Sequence, residues 1–426
     1  MSQNPTLSGV TPEGTAVKER FDRCVIPVYG RFDMVLTRSE GSYVLDDRNR
    51  RYLDVGAGVA VCALGHCHPA IAEAISRQVR QLIHVSNLYY HDLQGRFAEE
   101  LVDLIGPGKC FFCSSGVEAN EALFKLARKV GSESGRFEVI TCQNSFHGRT
   151  LAGISATGQQ KVKTGFEPLV PGFRHVPFDS LKAAEEAISP ATIAVMIEGI
   201  QGEGGINVAS PEFLLGLRSL CDERGLLLLF DGVQCGHFRT GRFQSYQRIL
   251  EGYAAGEGFL PDAISMAKSL GGGFPLGAIW VNERYADVLG PGTHGATFGG
   301  TPLASAVGLA VLAEIEASSL EQNARDVGDC LRVSLMRLQE QYPAVIKEVR
   351  GLGLMLGVEF AESFSKLLTK ERPISLQVVE AVQREGMLTI PAGQRVIRFL
   401  PPLNLKREEA EEAIVILQRT IEKLIA

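Results

Sequence analysis

AISMAKSLGGG at residues 263–273 and LLLLFD at residues 226–231 are the two stretches that decide the fold. Each opens on a short apolar run of the length that a buried strand needs, and each run ends at a charged residue. The runs EVITC (138–142) and IAVMIEG (193–199) have the same apolar character. We therefore predict that all four are buried β-strands.

Helix-length stretches lie between these strands. Apolar residues recur at helical spacing in residues 68–83, 117–129 and 210–225. Strands that alternate with helices along a chain form a mainly parallel sheet. The alternation therefore predicts the α/β fold class.

The pattern changes after about residue 318, where a long charged amphipathic helix is predicted over 321–341. A strand-like LMLGVEF and two further helical stretches follow, which indicates a smaller α+β domain. The segment YVLDDRNRRYLD (43–54) has the character of a hairpin, and we expect it to join that smaller domain. Three parts are predicted: an N-terminal segment that contributes to the small domain (1–64), a large domain (65–318) and a C-terminal small domain (319–426).

The composition excludes several classes of function. A chain of 426 residues exceeds one average domain, and its formal net charge of -6 leaves no basic field for a nucleic-acid backbone. The polar N-terminus has no apolar segment behind a basic start, and no later run stays apolar for about 18 residues. We expect a cytoplasmic protein that binds neither nucleic acid nor membrane.

The nine cysteines, an odd number at irregular spacings, do not match a disulfide framework. Cys110 and Cys113 form a single CxxC pair, and Cys67 lies between His66 and His68. Neither group has a second ligand pair at the spacing of a structural zinc site. We therefore expect no disulfide and no metal ion.

The segment SSGVEANEALFKLARK (114–129) places small residues directly before a helix. The free backbone N–H groups at such a helix start suit a phosphate, although the same residues also serve as an ordinary N-cap and turn. Asp231 and Gln234 follow the strand LLLLFD, in the position where ligands gather beyond the carboxyl ends of strands. Asp231 could instead cap the next turn.

Lys268 lies at the end of the apolar run AISMAK, immediately before glycines that permit the close approach of a ligand. Burial of a lysine is costly unless the side chain is paired or used. A desolvated lysine loses its proton readily and can attack an aldehyde to form a Schiff base. The alternative is an ordinary surface lysine.

The helix start, the strand-end acid and the strand-end lysine occur in a fixed order with NSFHGRT (144–150), IEGIQGEGG (197–205) and HGATFGGTPLA (294–304). Together they resemble the class III aminotransferases of the ornithine and acetylornithine type, from about Tyr29 to the C-terminus. The resemblance implies fold type I of the pyridoxal 5′-phosphate (PLP) enzymes, with a large α/β domain and a smaller α+β domain. It also implies PLP as the cofactor.

The resemblance assigns roles to individual residues. Lys268 would bind PLP covalently and shuttle the proton, and Asp231 would pair with the pyridine nitrogen. Thr297 would reach the phosphate from the partner subunit of a homodimer. His147 is expected to be structural. The other expected cofactor contacts are Ser115, Gly116 and Val117 at the phosphate, Gln234 at the phenolic oxygen and Phe146 on the ring face.

On the substrate side, the resemblance makes Arg149 the residue that grips a substrate carboxylate. Arg398 would be a second arginine, masked by Glu203 when the amino donor binds and released for the α-carboxylate of glutamate. Glu198 lies in the same motif as Glu203. Tyr29 is expected either to contact the substrate or to belong to the core.

The segment DVGAGVAVCALGHCHP (54–69) resembles the acetylornithine branch, since Val59 stands where enzymes that act on free ornithine carry tyrosine. The chain departs from the usual family pattern at four further positions. Glu is common at the first of them and Asn at the other three: Gly232, Cys62, Ser114 and Thr301. Residues 245–260 form an insertion that we expect to be a surface loop or a short helix.

The leading hypothesis is amino transfer from N2-acetylornithine to 2-oxoglutarate. Ornithine, succinylornithine, 4-aminobutyrate and N-succinyl-diaminopimelate stay open as donors. An aminomutase or decarboxylase on the same scaffold is a second class, which would not need an added keto acid. A non-catalytic homologue is the third, although Lys268, Asp231, Gln234 and Arg149 are all present.

Overall fold

The computed structural model describes residues 11–368 and 372–426, so the first ten residues of the predicted N-terminal segment lie outside the described residues. Its strands fall into one large sheet and three smaller ones. In chain order the strands are β1 (Leu36–Glu40), β2 (Tyr43–Asp46), β3 (Arg51–Asp54), β4 (Gly108–Cys113), β5 (Glu138–Cys142), β6 (Phe173–Val176), β7 (Thr192–Glu198), β8 (Ile200–Gln201), β9 (Asn207–Val208), β10 (Leu227–Asp231), β11 (Ala263–Met266), β12 (Gly277–Asn282), β13 (Ile346–Leu352), β14 (Met355–Phe360), β15 (Met387–Leu388), β16 (Ile390–Ala392) and β17 (Val396–Phe399).

The α-helices alternate with the strands in the first three quarters of the chain. Short 3-10 turns add to them, and one of these begins at Lys268. The helices are α1 (Pro12–Cys24), α2 (Ala57–Ala60), α3 (Pro69–Gln78), α4 (Asp92–Ile105), α5 (Gly116–Gly131), α6 (Leu151–Ala156), α7 (Leu181–Glu186), α8 (Pro211–Arg224), α9 (Ser245–Ile249), α10 (Pro302–Ala317), α11 (Leu320–Gln341), α12 (Ile374–Arg384) and α13 (Arg407–Ile425).

The large sheet has seven strands in the order β4-β12-β11-β10-β7-β5-β6. Adjacent strands from β11 to β6 are parallel, whereas β12 runs antiparallel to both of its neighbours. Every residue of β7, β10 and β11 is buried, because helices cover both faces of the sheet. The predicted α/β class and the four predicted strands are confirmed.

Local sequence explains where the helices start and stop. In α8, the Ser210 side chain accepts a hydrogen bond from the N–H of Phe213, Pro211 occupies the first turn, and Gly225 ends the helix in the left-handed conformation at φ 59°. These signals place the helix close to the predicted range 210–225. The long helix α11 likewise lies within one residue of its predicted range.

The N- and C-terminal parts of the chain meet in one small sheet, β1-β2-β3-β15. The predicted hairpin is present as β2 and β3, and β3 then pairs in parallel with β15 from the C-terminal part. The C-terminal part of the chain also forms a separate antiparallel sheet, β13-β14-β17-β16. The predicted division of the chain into 1–64, 65–318 and 319–426 stays a prediction.

The insertion at residues 245–260 was expected to be a surface loop or a short helix, and it begins as the short helix α9. Its start is not on the surface, however, because Tyr246 is 2% exposed and packs edge-on against Phe230 with ring centroids 5.2 Å apart. Glu251, near the middle of the insertion, forms ion pairs with Arg242 and Arg325. The start of the insertion is therefore core, whereas residues 252–255 are exposed.

Among the described residues, no single helix is long and apolar enough to cross a membrane. Taken together, helices α10 and α11 are long and apolar enough, but they meet at an angle of 64°. This likeness to a membrane span concerns length and composition only.

Candidate active site

A cavity of about 390 Å³ lies at the carboxyl ends of the central strands, where ligands bind in open α/β sheets. The cavity is lined by the residue that follows β11, by the last residue of β10 and by the first turn of α5. It brings together nine of the twelve site residues expected from the sequence: Ser115, Gly116, Val117, Phe146, Arg149, Glu203, Asp231, Gln234 and Lys268.

The first turn of α5 forms one wall of the cavity. Ser115 caps the helix by accepting a hydrogen bond from the N–H of Glu118, and Gly116 and Val117 occupy the first two helical positions. N–H groups at these positions have no acceptor within their own helix. A Cβ atom on Gly116 would lie 2.6 Å from Cγ1 of Val233, so only glycine lets this turn approach the end of β10.

Asp231 is buried and held by three donors. Its Oδ2 accepts hydrogen bonds from Nδ2 of Asn120 and, in the assigned tautomer, from Nδ1 of His147, both at 2.8 Å. Its Oδ1 accepts the N–H of Val233 at 3.0 Å. These three contacts hold the Asp231 side chain in a fixed orientation.

Sequence reasoning missed the part that Asn120 and His147 play at this carboxylate. His147 was expected to be structural, but it contacts Asp231 directly, and Asn120 was not singled out at all. Asn120 lies four residues after Gly116 and thus on the same side of α5. That spacing was the available signal, but it gives no hint of which strand the side chain would reach.

Glu198 is a second buried carboxyl group beside Asp231. The two residues are register partners across β7 and β10, and Oε2 of Glu198 accepts the N–H of Phe146 at 3.2 Å. Burial, and then the charge of Asp231, raise the pKa of Glu198 well above its ordinary value. Glu198 therefore keeps its proton to a higher pH than an exposed glutamate does.

Lys268 follows β11 with a left-handed φ of 50°, is half-buried and lines the cavity. Burial lowers the pKa of Lys268 to about 8, against the opposing charges of Glu203 and Asp231. The next residue fixes this turn, because Oγ of Ser269 donates to the carbonyl of Ala60 at 2.8 Å. The amine is consequently available in its neutral form near physiological pH.

Arg398 enters the cavity region from β17 and is 2% exposed. Its Nη1 donates to Oε1 of Glu203 at 2.7 Å and to Oε1 of Gln234 at 3.0 Å. Burial alone would raise the pKa of Glu203, but Arg398 outweighs it and the pKa is lowered. The expected contact between Glu203 and Arg398 is thus present as a direct ion pair.

Arg149 lies at the mouth of the cavity, where its guanidinium carbon is 5.5 Å from the ring centroid of Phe146. The Arg149 side chain is exposed. An arginine so placed can reach a carboxylate that enters from solvent.

Thr297 and Tyr29 do not lie with the other residues. Thr297 is exposed and lines a separate cavity of about 750 Å³ together with Asn87 and Tyr90. Tyr29 is 73% exposed and does not line the cavity that holds Lys268, so the core alternative for Tyr29 is wrong. Neither residue lines the cavity that holds Lys268.

The positions at which the chain departs from the usual family pattern lie in different parts of the structure. Ser114 lines the cavity, and Thr301 caps α10 through the N–H of Ala304. Gly232 packs closely against Gln244, because a Cβ atom there would lie 2.4 Å from Oε1 of that side chain. Val61 lines the cavity, whereas Val59 is half-buried outside its lining.

Comparison with known proteins agrees with this geometry. The family model described as aminotransferase class-III matches residues 27–421. The acetylornithine aminotransferase of Gloeobacter violaceus is 43% identical over 96% of this chain and 98% of its own length. The chain belongs to the class III aminotransferases.

Solved structures of this family have the same fold. An ornithine aminotransferase from Toxoplasma gondii ME49 superposes with a TM-score of 0.88 at 31% identity, over 97% of this chain and 96% of that one. The N-acetylornithine aminotransferase from Stenotrophomonas maltophilia K279a gives 0.78 at 33% identity, over 93% and 97%. The enzyme is accordingly an aminotransferase with the α/β architecture of this class.

The pKa of Lys268 predicts its pH-dependent reactivity. Because burial lowers that pKa to about 8, acetylation of Lys268 in the cofactor-free enzyme should increase with pH through a midpoint near 8 and level off above it. Competitive labelling with acetic anhydride, read by peptide mass mapping, gives the profile, with the exposed Lys182 as the internal reference. A Lys268 profile that parallels that of Lys182 would contradict the lowered pKa.

Proposed function

We propose that this aminotransferase moves the terminal amino group of N2-acetylornithine, or of a similar N-acyl diamino acid, to 2-oxoglutarate, with PLP bound covalently to Lys268. One observation carries the proposal: the start of α5, the carboxylate of Asp231 and the amine of Lys268 converge in one cavity. The relatives named acetylornithine aminotransferase support the donor.

The residues of the cavity fit PLP. Ser115 and the N–H groups of Gly116 and Val117 at the positive end of α5 would hold its phosphate. Asp231, oriented by three donors, would pair with the protonated pyridine nitrogen. When bound, PLP supplies an aldehyde that takes up the donor's amino group and a ring that withdraws electrons from the adjacent carbon. Gln234 would contact the phenolic oxygen, and Phe146 would stack on the ring.

Lys268 would move the proton in both half-reactions. Its lowered pKa, about 8, leaves a share of the amine neutral at physiological pH, as a general base requires. Nζ accepts the proton from the donor carbon that bears the nitrogen and later returns a proton on the side of the cofactor. The charges of Asp231 and Glu203 keep the protonated form accessible, so one amine can serve as both base and acid.

Donor selection rests on the carboxylate sites. Arg149 at the cavity mouth would hold a carboxylate of the donor, and Glu203 would neutralise Arg398 while the donor is bound. Glutamate would displace Glu203 and pair its α-carboxylate with Arg398. Nε of Arg398 is buried and has no hydrogen-bond partner in the part of the chain that the structure describes, so this side chain has unused donor capacity toward such a carboxylate.

The visible absorption band of the bound cofactor tests the function directly. N2-acetylornithine, added without a keto acid, should bleach the band in a single turnover, and 2-oxoglutarate should restore it. Parallel additions of ornithine, succinylornithine, 4-aminobutyrate and N-succinyl-diaminopimelate rank the donors. If another donor bleaches the band faster, the acetylornithine assignment is wrong. Bleaching by no donor would contradict aminotransfer, while turnover without any keto acid would indicate an aminomutase or decarboxylase.

The Glu203–Arg398 ion pair predicts a split between the two half-reactions. Glu203→Gln keeps the size of the side chain and removes its charge, so Arg398 is unmasked: the donor half-reaction should slow by roughly tenfold and the glutamate half-reaction should not. Arg398→Met should show the reverse pattern. Stopped-flow rates for both half-reactions across the double-mutant cycle measure the coupling. Purely additive effects would eliminate the proposed exchange.

We also propose that the enzyme is a homodimer in which Thr297 reaches the phosphate site of the partner. Exposed apolar side chains crowd the surface around Thr297: Leu88 is 86% exposed, Tyr90 is fully exposed and Phe298 is 68% exposed. His84 packs on Phe298 with ring centroids 5.7 Å apart, and Tyr90 lines the same cavity as Thr297. Contiguous exposed apolar surface is typical of a protein interface.

Subunit mixing tests the shared site. Lys268→Ala and Thr297→Ala homodimers should each have low activity, because every site lacks one group. In a hybrid of the two, one site lacks both groups and the other lacks neither. Denaturing and refolding the two variants together should therefore regain roughly a quarter of wild-type activity, half of the dimers being hybrids with one intact site. No gain above the separate variants would place Thr297 in its own subunit's site.

A further inference from the structure

The loop that carries Glu203 spans residues 202–206 and joins β8 to β9. Three of its five residues are glycines, so the backbone of this Glu203 loop has many accessible conformations unless something tethers it. The loop nevertheless places the Glu203 carboxylate 2.7 Å from Nη1 of Arg398. A fixed position of that carboxylate therefore depends on contacts from outside the loop.

Arg350 of β13 makes such a contact at the end of the Glu203 loop. Its Nε and Nη2 both donate to the carbonyl oxygen of Gly205, at 2.9 and 2.7 Å. Gly205 has a φ of 116°, and a Cβ atom on it would lie 3.2 Å from Nη2 of Arg350. A larger residue would crowd the guanidinium, so glycine suits this close approach. The planar fork of the arginine holds the carbonyl group in a defined direction.

Arg350 and Arg398 belong to one row of the sheet β13-β14-β17-β16. Arg350 is the register partner of Gly357, and Gly357 is in turn the register partner of Arg398. Residues directly opposite each other in a sheet project from the same face. Gly357 leaves room for the loop between the two arginines, because a Cβ atom there would lie 2.9 Å from Cβ of Ile206. The Glu203 loop thus packs on this row of the sheet.

The two arginines hold the backbone on either side of Glu203. Nη1 of Arg398 donates to the carbonyl oxygen of Gly202 at 3.2 Å as well as to the Glu203 carboxylate, whereas Arg350 holds Gly205. A substrate carboxylate on Arg398 competes with the first set of contacts. It does not compete with the second, because Arg350 does not line the cavity.

Arg350 is itself held in place by carboxylates. Its Nη1 donates to Oε2 of Glu359 at 2.6 Å and to Oε2 of Glu348 at 2.7 Å. Glu359 is 8% exposed, and its Oε1 accepts a hydrogen bond from Nζ of Lys347 at 2.9 Å. Burial alone would raise the pKa of Glu359, but Arg350 and then Lys347 outweigh it and the pKa is lowered. Anions thus fix one edge of the guanidinium while its other edge binds the loop.

We propose that Arg350 is a positioning residue that keeps Glu203 in place to mask Arg398 and so sets the preference of the site between the amino donor and glutamate. The inference rests on the proposed exchange of Glu203 for a glutamate carboxylate on Arg398 and adds the residue that controls it. With the loop tethered, only the Glu203 side chain turns away when glutamate binds, and it returns when glutamate leaves. The effect of Arg350 on the reaction passes through Glu203.

Arg350→Met, which keeps the length of the side chain and removes its donors, tests the proposal in the holoenzyme. Stopped-flow traces at varied substrate concentration follow the half-reactions of glutamate and of the donor that bleaches the cofactor band fastest. Without the tether, Glu203 masks Arg398 in a smaller fraction of molecules. The donor half-reaction should therefore slow about threefold, and the apparent dissociation constant of glutamate should fall about threefold.

Arg395→Met is the matched control. Arg395 pairs with the same Glu359, at 3.2 Å, and with Glu362 rather than with the Glu203 loop, so this variant should change neither half-reaction. Combining Arg350→Met with Glu203→Gln should slow the donor half-reaction no further than Glu203→Gln alone, because Arg350 acts through that carboxylate. A merely structural role would instead slow both half-reactions and add to the effect of Glu203→Gln, and either result would overturn the proposal.

Two further measurements keep the test independent of the folding of Arg350→Met and of the proposed donor. Arg350→Lys retains the positive charge beside Glu359 but loses the paired donors, so it should shift both values in the same direction by a smaller factor. Glutarate, a dicarboxylate without an amino group, measures access to Arg398 without amino transfer and should bind about threefold more tightly once the tether is lost. If no donor reacts, the proposed function fails while this titration still decides the role of Arg350. Unchanged glutarate affinity in both Arg350 variants would overturn that role and leave the proposed function intact.

Discussion

The burial of Lys268 among fixed charges is the constraint on which the rest of the site depends. A lysine taken out of water tends to lose its proton, and here the carboxylates of Asp231 and Glu203 offset part of that cost while Arg398 adds to it. The balance leaves the pKa at about 8, where one amine can both accept and donate a proton. Every neighbouring charge must therefore be held in place, since a shift in any of them changes the protonation of the lysine.

The scaffold holds these charges through the ends of parallel strands. Glu198, Asp231 and Lys268 follow or end three adjacent strands, so the sheet sets their spacing and a single cavity receives all three. Burial raises the pKa of Glu198, the second carboxyl group at this edge of the sheet. Asn120 from a helix and His147 from a loop both contact Oδ2 of Asp231. Polar contacts around the cavity thus fix the orientation of the Asp231 carboxylate.

The turn at α2 is held by the same kind of polar contact. Oδ1 of Asp54 accepts the N–H groups of Gly56 and Ala57, and Oδ2 contacts Nε2 of His66, so one buried carboxylate fixes the left-handed turn and the imidazole together. Ser269, the residue after Lys268, then donates to the carbonyl of Ala60 and ties this turn to the catalytic lysine.

The fold class, the four central strands and the family could be predicted from the sequence, because apolar runs, helix caps and the order of the motifs are properties of neighbouring residues. The same motifs also indicated Lys268, Asp231 and the Glu203–Arg398 pair as candidate site residues. The sequence could not indicate that Asn120 and His147 hold Asp231, that Tyr246 is buried, or that Tyr29 and Thr297 lie outside the cavity within one subunit. Those facts depend on contacts between residues far apart in the chain, such as the 111 positions between Asn120 and Asp231. Only the packing of helices against the sheet decides such contacts, and it alone sets the burial that shifts the pKa of Lys268.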